Sequence, residues 1–323
     1  MYGLPPVRSM TAATTPSRAE PTRSARSRLG HMPRRTIIVF LLPALALYVV
    51  FLLYPIVQSV RYSMYDWNGF GPLEDFVGLQ NFRDVFSDRR FRDAFTHNVT
   101  IVALSLLLQI PAALGLAVLL NAKLRGRAVM RTVFFAPYVL SEVVTGVVWR
   151  QILRPDGLFD QSLEGVGLGG WVQGWLSDPD VVLYSLFFVI SWKYFGFHMI
   201  LMLAGLQQIP TELREAASID GASPWKTFRY VTLPLLMPTV RVSIFLSAIG
   251  ALQLFDLVWV TTRGGPIGAS STMSTYLYDR FRDSRFGLAS AASIVIFGLC
   301  LVVALLYQRF ALRRDLEGAG PGV

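Results

Sequence analysis

The chain has 323 residues, of which 53% are hydrophobic and only 16% are charged, and its mean hydropathy is +0.46. Soluble domains carry about 25% charged residues, so this composition excludes an ordinary cytosolic enzyme, a disordered protein and a disulfide scaffold. The net charge is +9, but the basic residues form blocks between long apolar runs, which argues against a nucleic-acid partner. A single cysteine, Cys300, excludes an intrachain disulfide. These features predict an integral membrane protein.

Six segments are long and apolar enough to cross a bilayer, which takes roughly 20 helical residues. In chain order they are 36–57, 99–120, 132–153, 181–206, 236–260 and 287–309. The predicted fold class is therefore an all-α integral membrane protein with six transmembrane helices, since lipid offers the backbone no hydrogen-bond partners. Residues 36–312 form the membrane domain, between an Arg-rich flexible tail at 1–35 and a short tail at 313–323.

The distribution of basic residues predicts the orientation. Both termini and the loops 121–131 and 207–235 together carry 17 basic and 6 acidic residues, against 10 basic and 13 acidic residues on the opposite side. Because cytoplasmic loops carry the excess of Lys and Arg, both termini are predicted to be cytoplasmic, with the basic tail near anionic lipid. Residues 44–46 resemble a signal-peptide cleavage site, but the surrounding apolar run of 22 residues is too long for a signal peptide.

The loop 207–235 predicts two short helices joined by a turn. Pro210 and Thr211 open the first helix, and Gly221 is suited to the left-handed conformation that ends it. Ser223 and Pro224 then form an N-cap and first-turn pair that starts the second helix. Leu233 and Pro234 are expected to stop that helix just before the fifth span.

The residues of this loop resemble the EAA loop of binding-protein-dependent ABC permeases. The resemblance implies a type I ABC importer permease fold, in which this loop is the coupling helix that docks onto a separate ATPase dimer. ATP and Mg²⁺ would then be held by the partner, and this chain would bind no cofactor. The matching residues, and so the expected coupling residues, are Glu215, Ala216, Ala217, Asp220, Gly221, Phe228, Leu233 and Pro234.

A second resemblance concerns the end of the fifth span. The stretch 255–266, with Gly264, Gly265 and Pro266, is similar to carbohydrate-uptake permeases of the maltose-transporter type, as are residues 54–56 and 124–126. The resemblance implies a sugar or oligosaccharide substrate, a homologous second permease subunit, an extracytoplasmic binding protein and a location in the prokaryotic cell membrane.

The chain itself shows no catalytic signature. It lacks a G-x-x-x-x-G-K-[ST] run, and its three histidines, His31, His97 and His198, are too far apart in sequence to indicate a metal site. We therefore expect a transport subunit and not an enzyme.

Aromatic, hydroxyl and amide side chains in the fourth and fifth spans are the candidates for contact with a sugar. The resemblance places Ile190, Lys193, Tyr194, Phe197, Ser247, Ala251 and Leu254 in the substrate pathway, although several amide positions of the maltose permease are apolar here. Side-chain chemistry adds Trp192, Gln253 and Asp256.

Lys193 has two interpretations, because a charge near the middle of the membrane faces either a cavity or a partner. One is an ion pair with Asp256 or Glu142, which we favour since buried charges are usually paired. The other is contact with an anionic ligand or a sugar hydroxyl. Because of Lys193, a glycerol-phosphate permease remains an alternative interpretation of the sequence. A secondary transporter is an alternative of a different class, but it predicts inverted repeats that the sequence does not show.

Overall fold

The computed structural model describes residues 34–122 and 124–312. The predicted tails, up to residue 33 and from residue 313, and Lys123 of the basic loop lie outside the described residues. The chain divides into two compact units, one ending at Pro55 and one beginning at Ile56. In the first unit, helix α1 (Arg34–Tyr48) contains Pro43 and runs into a π-helical turn at Val49–Leu53.

The remaining α-helices follow in chain order. They are α2 (Tyr54–Tyr62), α3 (Gln80–Ser87), α4 (Arg89–Leu104), α5 (Ile110–Asn121), α6 (Arg127–Val139), α7 (Glu142–Ile152), α8 (Leu158–Gly165), α9 (Val182–Gln207), α10 (Thr211–Ile219), α11 (Pro224–Thr227), α12 (Leu233–Leu252), α13 (Asp256–Thr261), α14 (Met273–Arg282) and α15 (Phe286–Tyr307). Two π-helical turns, Ser105–Gln109 and Phe228–Thr232, join α4 to α5 and α11 to α12. The described residues contain no strand, only an isolated bridge between Tyr65 and Phe76.

Five helices are long and apolar enough to cross a membrane without interruption, and a bent pair accounts for a sixth span, as the sequence predicts. The five unbroken spans are Ile38–Tyr62, Arg89–Asn121, Val182–Gln207, Pro224–Leu252 and Phe286–Phe310. The predicted all-α membrane fold is confirmed.

The third predicted span, 132–153, is not one continuous helix. It consists of α6 and α7, which meet at an angle of 99°. Leu140 and Ser141 both have extended backbones at the break, and the Ser141 hydroxyl accepts the N–H of Val144 at 3.2 Å, which caps the new helix. Pro137, inside α6, has no N–H to donate to the carbonyl of Val133, which weakens the last turn of this helix just before the break.

The fifth span also differs from its prediction of 236–260. A continuous helix begins at Pro224 and ends at Leu252, so Leu233 and Pro234 do not stop it. The ring of Pro234 would clash with the carbonyl of Tyr230 in a regular helix, but Tyr230 belongs to the widened π-helical turn. After Leu252 the chain turns, and a separate short helix, α13, carries residues that were assigned to the span.

Helix α9 lies at the centre of the bundle, where it packs against α5, α6 and α12. Its close approach to α6 depends on Gly196, because a Cβ atom at that position would collide with the backbone carbonyl of Phe134. Gly146 similarly brings α7 near α13, since its added Cβ would lie 2.9 Å from the side chain of Val260. Small residues at such contacts are typical of helices that associate in membranes.

Candidate translocation cavity and coupling loop

A cavity of about 390 Å³ lies in the helix bundle and has both aromatic and polar walls. Its volume is within the range of about 300–1,000 Å³ that is usual for small-molecule sites. Seven of the predicted substrate-pathway residues line it: Tyr194, Phe197, Ser247, Ala251, Gln253, Leu254 and Asp256. Ile190, also expected there, lines the same cavity. The structure thus brings together residues that are up to 66 positions apart in the sequence.

Trp192 does not line this cavity. Its ring makes an edge contact with Trp149, with 5.3 Å between the ring centroids, and it borders a separate hollow with Phe134 and Phe188. Trp192 is thus part of the helix packing on the far side of α9.

Lys193 is buried, with 3% of its surface exposed, and its ammonium group donates a hydrogen bond to the carbonyl of Leu140. Among the ion pairs of residues 34–122 and 124–312, none within 4.0 Å joins Lys193 to Glu142 or Asp256, so the favoured pairing is wrong. The reason is the break after α6, since the last carbonyls of a helix lack intrahelical partners and attract a cation. Lys193 and Glu142 do border a shared, shallower hollow.

Glu142 is the first residue of α7, and it accepts a hydrogen bond from the hydroxyl of Tyr194. Adjacent residues of α9 therefore hold the two sides of the broken span, Lys193 at the end of α6 and Tyr194 at the start of α7. The hydrogen bond from Tyr194 holds the carboxylate of Glu142 in the cavity wall. The second carboxylate, Asp256, is the first residue of α13.

Two rings of the cavity wall stack on each other. The centroids of Tyr138 and Phe197 are 4.9 Å apart with 22° between the ring planes, and Tyr194 meets Tyr138 edge-on at 6.0 Å. Aromatic side chains with polar groups beside them suit a ligand such as a sugar, which has apolar faces and hydroxyl edges.

Several polar residues of the wall were not predicted. Ser105 and Gln109 are the first and last residues of the π-helical turn in the second span, and π-helical turns are frequent at functional sites. Gln109 was detectable as an isolated amide in an apolar span. Tyr138 and Glu142 line the cavity only because the third span is broken, a break that Pro137 and the Ser141 cap mark locally. His198 also lines the cavity and is hydrogen-bonded to the Ser243 hydroxyl at 2.7 Å.

The coupling loop has the two helices that were predicted. Helix α10 ends at Ile219, and Gly221, two residues further on, has a left-handed φ of +77°. The N–H of Gly221 donates to the carbonyl of Ser218, and the N–H of Ala222 donates to that of Ala217, which is a Schellman motif. Ser223 caps α11 by accepting the N–H of Lys226, and Pro224 is in its first turn. The sharp turn is thus encoded locally.

The eight expected coupling residues differ in exposure. Glu215, Ala216, Asp220, Gly221 and Pro234 are exposed, whereas Ala217, Phe228 and Leu233 are half-buried. Large apolar side chains of this loop that the sequence analysis did not single out are also exposed, among them Ile219 at 86%, Tyr230 at 74% and Trp225 at 70%. The loop therefore presents a mixed apolar and acidic surface around its turn.

A bundle of membrane helices around a polar and aromatic cavity, with a structured helical loop at its end, defines the chain as a helical membrane permease. Residues 109–315 match the family described as binding-protein-dependent transport system inner membrane component, and the chain belongs to that family.

The similar proteins include two sugar permeases. The chain is 33% identical to the trehalose/maltose transport system permease protein MalF of Thermococcus litoralis, over 90% of this chain and 98% of that protein. It is 36% identical to the lactose transport system permease protein LacF of Rhizobium radiobacter, over 86% of this chain and 93% of that protein.

A solved structure has the same fold. It is a bacterial ABC transporter involved in the import of the acidic polysaccharide alginate, with a TM-score of 0.74 and 25% identity over 86% of this chain and 96% of that chain. The type I importer permease fold expected from the EAA loop is therefore confirmed.

Proposed function

We propose that this chain forms half of the translocation pathway of an ATP-driven sugar importer, and that the sugar crosses through the cavity between α9 and α12. The observation that carries the proposal is the cavity wall itself. Stacked Tyr138 and Phe197 offer an apolar ring face, while Ser247, Gln109 and Gln253 offer hydrogen-bonding groups. The similarity to permeases named for trehalose, maltose and lactose supports a sugar or oligosaccharide as the substrate.

The loop from α10 to α11 is proposed to dock onto a separate ATPase dimer that holds ATP and Mg²⁺. Its Schellman turn and Ser223 cap hold the two helices in one geometry through hydrogen bonds within the loop itself. Ile219 is an exposed apolar anchor beside the turn, and Glu215 is exposed for contact with a basic group. This chain then needs no ATP site of its own.

The remaining partners follow from the family. A homologous second permease subunit completes the pathway, and an extracytoplasmic binding protein delivers the sugar to the outer loops. A relative of this fold was solved in complex with an alginate-bound periplasmic protein, which supports such a delivery. The excess of basic residues supports a cytoplasmic position of both termini and of the coupling loop.

The coupling role is tested by Gly221→Val, Ala217→Trp and a matched control, Gly167→Val. Gly221 and Gly167 have φ values of +77° and +80°, and neither has a neighbouring atom within 4 Å of an added Cβ. Valine therefore strains both turns by a similar amount, on the order of 1 kcal/mol or more, but only Gly221 is in the coupling loop.

We expect Gly221→Val and Ala217→Trp to abolish sugar uptake and to reduce recovery of the ATPase when the permease is purified in detergent. Gly167→Val and the conservative Thr227→Ser should leave both unchanged. Full ATPase recovery and full uptake with Gly221→Val would show that another segment couples the chain to its ATPase.

A further inference from the structure

The charged side chains that line the cavity are all acidic. Glu142 and Asp256 contribute carboxylates, and among the described residues of its wall there is no lysine or arginine. His198, the other titratable group with a basic nitrogen, is buried and hydrogen-bonded to Ser243. The described wall therefore has two carboxylates and neither a lysine nor an arginine, while Lys193 borders a neighbouring hollow beside Glu142.

Lys193 is a nearby basic side chain, but it is not one of the residues that line the cavity. Lys193 borders the shallower hollow beside Glu142, outside the wall of the main cavity, and its ammonium group is used at the carbonyl of Leu140. Lys193 directly precedes Tyr194, and its Nζ atom lies 5.6 Å from the centroid of the Tyr194 ring. Lys193 would have favoured a phosphate or carboxylate ligand, but its ammonium group is instead hydrogen-bonded to the backbone at the break between α6 and α7.

A further polar group of the wall is available to a ligand. Gln109 lines the cavity with only 4% of its surface exposed, and its Nε2 has no hydrogen-bond partner. A buried amide N–H without a partner costs about 1–3 kcal/mol, so a ligand oxygen that accepts from Gln109 would gain a favourable hydrogen bond.

The two carboxylates and the amide require complementary groups on the ligand. Ionised carboxylates only accept hydrogen bonds, so they pair with hydroxyl or ammonium donors, whereas the Gln109 N–H pairs with a hydroxyl or acetal oxygen. An uncharged sugar supplies all of these groups, and an amino sugar adds a favourable charge. A sugar acid or a sugar phosphate would bring a third negative charge into a site of low dielectric constant.

We propose that Glu142 and Asp256 determine the specificity of this permease, which admits uncharged and amino sugars and rejects sugar acids and sugar phosphates. The inference rests on the proposed function, because it assigns the substrate class of the same cavity. It also decides against glycerol phosphate as the cargo. Rejection by like charge is an established way of obtaining specificity between similar ligands.

The charge of the cavity can be measured without knowing the ligand. In a Cys300→Ser background with cysteine-free partner subunits, Ser247→Cys places one thiol in the cavity wall. The assembled importer in nanodiscs is treated with two methanethiosulfonates of similar size, one with a trimethylammonium group and one with a sulfonate group. The ratio of their reaction rates is normalised to that of Gly170→Cys, an exposed position with no neighbour within 4 Å of an added Cβ.

We expect the normalised ratio to favour the cationic reagent by about tenfold or more, as for clefts lined by one sign of charge. Adding Glu142→Gln and Asp256→Asn together should bring the ratio back to the control value. A ratio equal to that of Gly170→Cys in the unmodified wall would overturn the proposal.

A second measurement uses protection of the same thiol by defined compounds. Lactose and the glucosamine disaccharide should slow the labelling of Ser247→Cys, whereas the galacturonate disaccharide and glycerol 3-phosphate should not. Equal protection by either anion would overturn the proposed specificity. If no compound protects the thiol, the proposed sugar pathway loses its support, and the ratio of the two reagents alone decides the charge selectivity.

Discussion

The side-chain amide of Asn98 donates a hydrogen bond to the carbonyl of Ala251, at 2.5 Å, where the fifth span approaches its end. The Oδ1 atom of the same side chain accepts the backbone N–H of Met273 at 2.9 Å. Asn98 is fully buried, so one side chain of α4 joins the end of α12 to the start of α14. Ala251 lines the cavity, which makes Asn98 a support for its wall.

Replacing Asn98 by alanine is expected to lower the free energy of unfolding by about 2–4 kcal/mol, because a buried carbonyl and a buried N–H both lose their partner. Thermal unfolding of the detergent-purified protein measures the change. Asn68→Ala is the control, since Asn68 is exposed and bonds only to the nearby N–H of Phe70, and it should cost less than about 1 kcal/mol. Equal losses for the two variants would contradict the bridging role of Asn98.

Gly196→Ala is expected to separate α6 from α9. The added methyl group would overlap the backbone carbonyl of Phe134, and backbone cannot move aside as a flexible side chain can. We expect a loss of about 1–3 kcal/mol, as for overpacked cores, together with a lower yield of folded protein in size-exclusion chromatography.

The control for this substitution is Gly298→Ala in α15. Gly298 is also inside a helix but has no atom within 4 Å of an added Cβ, so alanine should be neutral or slightly stabilising there. An identical effect at both positions would mean that helix propensity, and not the contact with Phe134, governs the result.

A third prediction concerns the two residues that hold the broken span. Tyr194 bonds directly to Glu142, whereas Lys193 bonds to the carbonyl of Leu140. In double-mutant cycles of unfolding, Tyr194→Phe with Glu142→Gln should show a coupling energy of about 1 kcal/mol or more. Lys193→Met with Glu142→Gln should show a smaller coupling, and a larger value for the lysine pair would restore the ion pair that the structure lacks.

Asp279, in helix α14 outside the spans, gives a prediction on pH. Burial, and then the nearby charge of Asp283, raise the pKa of the Asp279 carboxyl above its ordinary value of 3.8. The ionised carboxylate therefore opposes folding at neutral pH, and this cost disappears as the pH falls through the raised pKa.

Asp279→Asn should consequently be at least as stable as the unmodified protein at neutral pH. Its advantage should shrink as the pH approaches 3.8, since the carboxyl is then protonated when folded and increasingly so when unfolded. Thermal unfolding across this range tests the sign. A variant that is less stable at neutral pH would show that the neighbouring Arg280 and Arg282 outweigh burial.

The sequence predicted those parts of the structure that depend on local patterns. Apolar length identified the spans, and the succession of Gly221, Ser223 and Pro224 identified the turn of the coupling loop, because each of these residues acts on its own backbone. Eight of the ten expected pathway residues lie in one cavity because α9, the last turns of α12 and the segment that leads into α13 bring them there.

The remaining features depend on tertiary contacts that no local pattern encodes. The break at Leu140 and Ser141 is held by side chains of α9, which is distant in sequence. Lys193 was assigned to an ion pair because the free carbonyls that it binds exist only once the span is broken. Pro234 was read as a helix stop because the widened turn that accommodates its ring is invisible in the sequence.

The helix continues through Pro234 without a break, and its length has a mechanical consequence. The helix from Pro224 to Leu252 contains 29 residues and is therefore about 43 Å long. Ser223, in the turn between α10 and α11, lies at one end of this helix, and Ala251, in the cavity wall, lies at the other end. A tilt of about 5° around its middle moves each end by roughly 2 Å in opposite directions, given that length. One continuous helix therefore joins the turn at Ser223 to the wall of the cavity at Ala251, so a tilt of this helix displaces both.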